Sequence, residues 1–417
     1  MSIPKEIEQV MKMRGGSVLG KKTILKSDHF PGCQNKRLSP QIDGAPNYRQ
    51  ADSLRVHGVA IPTIVGIQNV LNHIGAQKDG KQAHVLWISL REEPVVYING
   101  HPFVLRDVER PFSNLEYTGI NRDRVEQMEA RLKEDILMEA ARYGNKILVT
   151  DELPDGEMVD QWEQVSCNSV KTPLEVYEEL QLAGYHVDYE RVPITDEKSP
   201  KELDFDILII IEVPVLVLGY LLYGSLGTAM AVNKISQANI STEVIFNCQM
   251  GRGRTTTGMV IATLVYLNRI GASGIPRTNS IGRVFNSGSN ITNNLPNSEE
   301  AICRGEYTLI RSLIRVLEGG VEGKRQVDKV IDKCASMQNL REAIATYRNS
   351  ILRQPDEMKR EASLSFFVEY LERYYFLICF AVYIHSERAA LRSSSFDHTS
   401  FSDWMKARPE LYSIIHR

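Results

Sequence analysis

The stretch Val244-Ile245-Phe246-Asn247-Cys248-Gln249-Met250-Gly251-Arg252-Gly253-Arg254-Thr255-Thr256-Thr257-Gly258 sets the reading of this chain. A β-branched and aromatic run, Val244 to Phe246, leads in, and a helix-compatible run from Thr257 to Tyr266 leads out. Between them Cys248 stands six residues before Arg254, with glycines at 251 and 253 and a hydroxyl at Thr255. A strand, a tight glycine-rich loop and a helix N-terminus make an anion cradle. The backbone N–H groups from 249 to 254 point inward, the helix dipole adds positive potential, and the planar fork of Arg254 matches two phosphate oxygens. The same field lowers the pKa of a thiol, so Cys248 is expected as the nucleophilic thiolate. The expected chemistry is phosphate-ester hydrolysis through a cysteinyl-phosphate.

A cysteine with an arginine at +6 is weak evidence alone, and the chain has six cysteines. Only Cys248 has that partner; the others meet Ser39, Pro173, Leu309, Leu340 and His385. The competing reading is a buried cysteine at a strand end before an ordinary glycine turn. The two glycines, Thr255 and the strand-to-helix setting weigh against it.

Cys248 to Thr255 resembles the phosphate-binding loop of cysteine-dependent, protein-tyrosine-phosphatase-like phosphatases. Three further segments resemble one branch of them, the paladin family and the related tyrosine-phosphatase-like inositol phosphatases. Ala45-Pro46-Asn47-Tyr48-Arg49 is similar to their N-terminal arginine segment. Leu90-Arg91-Glu92 followed by Ile98-Asn99-Gly100 is similar to their strand and turn, and Val192-Pro193-Ile194-Thr195-Asp196 to their general-acid loop. The resemblance extends to a C-terminal stretch from Val327 to Pro409, and it implies that the chain is one unit of a longer tandem protein.

The resemblance implies these roles. Cys248 attacks phosphorus in line, and Arg254 with the amides of Gln249, Met250, Gly251, Arg252 and Gly253 holds the equatorial oxygens. Asp196 protonates the leaving oxygen and then serves as base for water. Its simpler reading is a cap, with Thr195, of a helix over 197–203. Thr255 either hydrogen-bonds the cysteine sulfur or caps the following helix. Arg49, Arg91, Arg252, Lys198 and Lys201 are candidates for gripping further phosphates, against the plain reading of solvated cations; Arg91 equally reads as an ion-pair partner of Glu92 or Glu93. Many relatives have His before the nucleophile, where this chain has Asn247. That departure leaves open a catalytically weak pseudophosphatase that binds phosphorylated partners.

The 417 residues are 43% apolar and 24% charged, the balance of an ordinary globular protein. A net charge of −3 gives no reason to expect nucleic acid, so any polyanion site must be a local basic patch. Cysteines without regular spacing or a CxxC pair point to reduced thiols and a cytoplasmic location. The segment 1–22 is charged and lacks a signal-type apolar core. No HExxH, paired CxxC or carboxylate cluster is present, so neither metal nor cofactor is expected. The expected partner is a phosphorylated small molecule, a lipid headgroup or a phosphoprotein. Gly15-Gly16-Ser17-Val18-Leu19-Gly20-Lys21 nearly matches a nucleotide-binding loop. However, Lys22 stands where a Ser or Thr must hold magnesium, and no buried strand precedes it.

Helical or strand patterning places a helix at 63–74, strands at 85–90 and 95–98, and a charge-laced helix at 121–143. A strand at 146–150, a helix opening at Thr172-Pro173 and a strand at 186–192 follow. This alternation predicts an α/β fold with a central, mainly parallel sheet flanked by helices, cysteine-phosphatase-like, and a C-terminal helical extension. The expected organisation is an N-terminal segment (1–120), loop-rich over 1–50, that completes the pocket, then a core at 121–275, a mobile loop at 276–300 and a helical region at 301–417. In that region Val327 to Ile351 reads as one apolar stripe, and Leu364 to His385 as a buried helix.

The run 207–232 is unusual, with no charge between Val213 and Val232, long enough to span a membrane. A single span would put Asp196 and Cys248 on opposite faces. Removing 209–231 would join Phe205-Asp206-Ile207-Leu208 to Val232-Asn233-Lys234-Ile235 as one ordinary helix. The expectation is an insertion on the fold, not stable membrane insertion; genuine core and a membrane anchor through 207–232 are the alternatives.

Overall fold

The computed structural model describes residues 5–29, 38–77, 83–209, 242–272, 298–387 and 399–415. The expected insertion at 209–231, beyond Ile209, and the expected mobile loop up to residue 297 lie outside them. In chain order the elements run α1 (Lys5–Met13), β1 (Thr23–Ser27), β2 (Arg49–Gln50), β3 (Val56–Ala60), α2 (Ile64–Ile74), β4 (Val85–Arg91), β5 (Val95–Ile98), β6 (His101–Asp107) and α3 (Arg122–Arg142). There follow β7 (Lys146–Glu152), β8 (Met158–Gln164), β9 (Val170–Lys171), α4 (Pro173–Leu182), β10 (Val187–Ile194), α5 (Glu202–Ile209), β11 (Glu243–Cys248) and α6 (Gly253–Arg269). The described residues fall into two compact units, one within Met1–Asp196 and Val215–Ala262, the other within Glu197–Pro214 and Thr263–Arg417.

The first unit is α/β, but it holds two sheets, not one mainly parallel sheet. The five-stranded sheet has the order β10-β4-β11-β3-β2. Its first three pairings are parallel and β2 is an antiparallel edge. Every residue of β4, Val85 to Arg91, is buried, as a strand covered on both faces requires. Val59, Trp87, Tyr189 and Ile245 of this sheet share a core with Ile67, Val70 and Leu71 of α2 and Val176, Tyr177 and Leu180 of α4. Both helices are stopped and started by their own sequence. Thr63 accepts from the N–H of Gly66, Gly75 ends α2 at φ 85°, and Thr172 with Glu175 forms a reciprocal cap on α4.

The six-stranded sheet, β8-β7-β1-β6-β5-β9, is antiparallel except where β1 meets β7. Leu25, Val96, Ile98, Phe103, Ile147 and Val149 pack on Leu132, Ile136 and Ala140 of α3. The segment 1–50 is therefore not simply loop-rich: α1, β1 and β2 lie in it, and β1 sits inside this sheet.

The second unit is helical. From Ser298 its helices are α7 (Ser298–Cys303), α8 (Thr308–Val316), α9 (Gly320–Lys333), α10 (Leu340–Arg353), α11 (Glu357–Ser386), α12 (Phe401–Lys406) and α13 (Pro409–Ile415). The stripe expected from Val327 to Ile351 is divided between α9 and α10, because Asn339 breaks the run and caps α10 through its side chain. Tyr374 to Ile384 of α11 is buried all round, with Phe376, Phe380 and Tyr383 packed among Phe205, Phe401 and Trp404. Among the described residues no helix is long and apolar enough to cross a membrane. The residues after Asp196 are tied within this unit. Tyr370 donates to Glu197 at 2.7 Å, Glu369 accepts from the Ser199 N–H at 2.8 Å, and Arg373 donates to the Lys198 carbonyl at 2.7 Å.

Candidate active site

The parallel strands of the five-stranded sheet end at one edge, and their last residues open the site. β11 ends at Cys248, β4 at Arg91, β3 at Ala60, and β10 at Ile194 just before Thr195 and Asp196. Ligands of open α/β sheets collect at this carboxyl edge. Cys248 is 4% exposed, and the Thr255 hydroxyl donates to its sulfur at 3.1 Å. Asn247, the residue before it, faces inward and accepts from the indole N–H of Trp87 at 3.0 Å.

The loop after Cys248 is held by its carbonyls. Ile61 N–H donates to the Gln249 carbonyl at 3.0 Å and Asn47 to the Met250 carbonyl at 2.9 Å. A trans peptide points N–H and C=O in opposite directions, so the N–H groups of Met250 and Gly251 turn away from those partners. Gly251 makes the turn at φ 66°. A Cβ there would lie 2.5 Å from the Ala60 nitrogen and 2.7 Å from the Val59 carbonyl carbon, so only glycine fits against β3. α6 opens at Gly253, with Arg254 and Thr255 in its first turn.

Around this loop runs a closed ring of polar side chains. Asp196 lies 3.2 Å from the Nε of Arg254, whose Nη1 reaches Glu93 at 3.1 Å and the Ile194 carbonyl at 3.0 Å. Glu93 meets Arg91 at 3.1 Å, and Arg91 pairs with Asp28. Asp28 accepts from Gln249 at 2.7 Å, Gln249 accepts from Asn114 at 3.2 Å, and Asn114 donates to Asp196 at 2.6 Å, closing the ring. Burial opposes the charge of Arg254, but Asp196, Glu93 and the Cys248 sulfur outweigh it and hold the guanidinium above its usual range. Burial likewise opposes the charge of Glu93, and Arg254 with Arg91 overrides it, bringing the carboxyl down to about 2.

The other residues singled out in the sequence are placed as follows. Arg49 is buried and donates to the Asn47 carbonyl at 3.1 Å and the Thr256 hydroxyl at 3.0 Å, beside the start of α6. Arg91 is fully buried and held by two carboxylates, the second of which is Glu93, one of the two partners read for it in the sequence. Arg252 is exposed at the loop. Lys198 and Lys201 belong to the second unit, where Lys198 donates to Glu369 at 3.2 Å. The helix after Asp196 begins at Glu202, and the Thr195 hydroxyl donates to Glu92 at 2.9 Å, so neither Thr195 nor Asp196 caps it.

Four residues escaped the sequence reading as site residues: Asp28, Glu93 and Asn114 of the ring, and Arg106, whose guanidinium donates to the Asn114 amide oxygen. Glu93 had a signal, being two residues beyond Arg91 at a strand end. Asp28 and Asn114 lie in irregular stretches with no local pattern, and Arg106 reads as an ordinary strand cation.

Residues 88–266 match the model of the PTP-like phytase family, described as "Inositol hexakisphosphate". The chain is 27% identical over 375 residues to the paladin of Gallus gallus, covering 88% of this chain and 38% of that protein. It is also 27% identical over 390 residues to the paladin of Homo sapiens, covering 89% and 40%. This chain thus spans about two fifths of the length of the paladins it matches. The fold is shared with the tandemly repeated protein tyrosine phosphatase like phytase from Mitsuokella multacida. The TM-score is 0.50 at 14% identity, over 93% of this chain and 48% of that one.

Proposed function

We propose that this chain, which belongs to the paladin and protein-tyrosine-phosphatase-like inositol phosphatase family, is a cysteine-dependent phosphatase. The observation that carries the reading is local: the Cys248 sulfur accepts from Thr255 at a helix start while Arg254, one residue earlier, faces Asp196 at 3.2 Å. Cys248 ends β11, Asp196 follows the end of β10 two strands away, and Arg254 lies in the first turn of α6, an arrangement that supports reading them as nucleophile, acid and phosphate fork.

In the proposed reaction the substrate phosphate takes the Arg254 guanidinium and the N–H groups of the 249–253 loop. The Cys248 thiolate attacks phosphorus and an S–P bond forms as the ester P–O bond breaks. Asp196 gives its proton to the departing oxygen. In the second step Asp196, now a carboxylate, takes a proton from water, whose oxygen attacks phosphorus; the S–P bond breaks and inorganic phosphate leaves. The Thr255 O–H donates to the sulfur and eases its departure as thiolate. Glu93, itself paired with Arg91, holds Arg254 in place, and Arg49 braces the start of α6 through Thr256. The substrate class is an inositol polyphosphate, a phosphoinositide headgroup or a phosphotyrosine, with Arg252 as a candidate grip for a further phosphate.

One observation favours a second reading, a binding module with little turnover. Asn247 brings no cationic form beside the nucleophile, and its side chain is engaged by Trp87. Phosphate release by the purified chain, compared with Cys248→Ser, separates the two. Turnover that Cys248→Ser abolishes while substrate binding persists supports the enzyme. Binding without turnover in the parent supports the module, and release that survives Cys248→Ser removes this cysteine from the reaction.

A further inference from the structure

Asp196 is held from two sides, and only one of them is the phosphate fork. Its Oδ1 lies 3.2 Å from Arg254, while its Oδ2 accepts from Asn114 at 2.6 Å. The second N–H of the same Asn114 amide goes to Oε1 of Gln249 at 3.2 Å, the residue directly after the nucleophile. The amide orientation is settled by its far end, which receives Nη1 of Arg106, itself also donating to the Ser113 carbonyl at 3.2 Å. A guanidinium has no acceptor, so the atom facing it must be the amide oxygen, and the NH2 group is left for Asp196 and Gln249. Gln249 is oriented in turn, because its own NH2 donates to Asp28 at 2.7 Å and Asp28 is paired with Arg91. Every bond from Arg106 to Asp28 therefore has one possible direction.

We propose that Asn114 is the positioning residue of the acid, tying the Asp196 carboxyl to the nucleophile loop through Gln249. The proposal rests on the reading of Cys248 and Asp196 as nucleophile and acid. When a substrate phosphate takes the fork of Arg254, Asp196 loses that partner, and the Asn114 bond is what remains to hold it. An oxygen that accepts an N–H is poorly placed to carry a proton, so Asn114 on Oδ2 leaves the proton to Oδ1. From Oδ1 it passes to the ester oxygen as the P–O bond breaks and the S–P bond forms. Asn114 itself exchanges no proton and touches no substrate.

A positioning role has a signature that a general loss of structure lacks: it matters only when the leaving group needs a proton. The test compares phenyl phosphate with 4-nitrophenyl phosphate, nearly the same in shape but with the second far less basic on departure. The parent, Cys248→Ser, Asp196→Asn, Asn114→Ala and Asn114→Asp chains are assayed on both. Asn114→Ala is expected to lower kcat on phenyl phosphate by about 10–100-fold, the scale of a misplaced acid, and to leave KM within about threefold. On 4-nitrophenyl phosphate its kcat should stay within about threefold, and Asp196→Asn should show the same contrast, larger. Asn114→Asp keeps the shape and an acceptor for Arg106 but sets a like charge against Asp196. It should move the alkaline limb of the phenyl phosphate pH profile upward. Equal losses of Asn114→Ala on both substrates, or no loss on either, would overturn the proposal while leaving Cys248 untouched. A parent without Cys248-dependent release from either ester would bring down the enzymatic reading and this proposal with it.

Discussion

Replacing Glu93 by glutamine should expose how much the fold invests in holding Arg254. Glu93 is 1% exposed and lies 3.1 Å from both Arg91 and Arg254. Its carboxyl is held at about 2 against an ordinary 4.5, with burial opposing the charge and the two arginines overriding it. A folded pKa below the unfolded one favours folding at every pH above the ordinary value, and that advantage fades as pH falls toward the folded value. That depression corresponds to about 3 kcal/mol at neutral pH, within the range for breaking a buried pair by removing one partner. Glu93→Gln keeps the shape and loses the charge, so the parent should exceed it by about 3 kcal/mol at pH 7. The gap should narrow by roughly 1 kcal/mol between pH 5 and pH 3.5, because over that range the unfolded parent takes up a proton at Glu93 while the folded parent, held at about 2, does not. Urea unfolding in a Trp404→Phe background measures this, since Trp87 and Trp162 report on the unit that contains Glu93. A gap under about 1 kcal/mol, the worth of an exposed pair, or one that is the same at pH 5 and pH 3.5, would refute the reasoning.

Two shorter predictions bear on the loop. Gly251→Ala should destabilise by on the order of 2 kcal/mol or more, because a Cβ at φ 66° would meet the backbone of Val59 and Ala60; a drop of several degrees in Tm, with loss of phosphate binding, is the expected reading. Thr255→Val removes the hydroxyl that donates to Cys248 at 3.1 Å but keeps the side-chain volume. Hydrolysis of the cysteinyl-phosphate should slow about 10-fold, on the scale of one lost transition-state donor, and the phosphorylated Cys248 peptide should accumulate in mass spectra of the quenched reaction.

The strand–turn–helix loop from Cys248 to Thr255 was legible because everything that defines it is local. Cys248, Gly251, Arg254 and Thr255 lie within one strand–turn–helix, and their spacing alone places a sulfur, a tight turn and a fork together. The five-stranded sheet was legible for a similar reason, since the run Val85 to Leu90 is almost unbroken in apolar character. Of the second sheet only β5 and β7 were legible. Its central strand β1 carries Lys26, fully buried and paired with Glu152 at 2.6 Å, and β6 carries the buried Arg106. A pattern that assigns charged residues to solvent reads both strands as something else. The ring failed to show for the same physical reason, extended over distance. Asp28, Glu93 and Asn114 come from separate segments, far in sequence from Asp196, and each looks like a turn or surface residue until a partner from another segment engages it. Such violations of local pattern are costly and persist where surrounding structure holds them. Buried charges occur elsewhere too, as in the pairs Arg14–Glu139 and Arg191–Glu129, but Arg91, Glu93 and Arg254 lie where β4 and β11 end, the edge that also carries Cys248. Burying Arg91, Arg106 and Arg254 beside Asp28, Glu93 and Asp196 keeps the Arg254 guanidinium charged and fixed; in the proposed reaction the substrate phosphate must displace Asp196 from it.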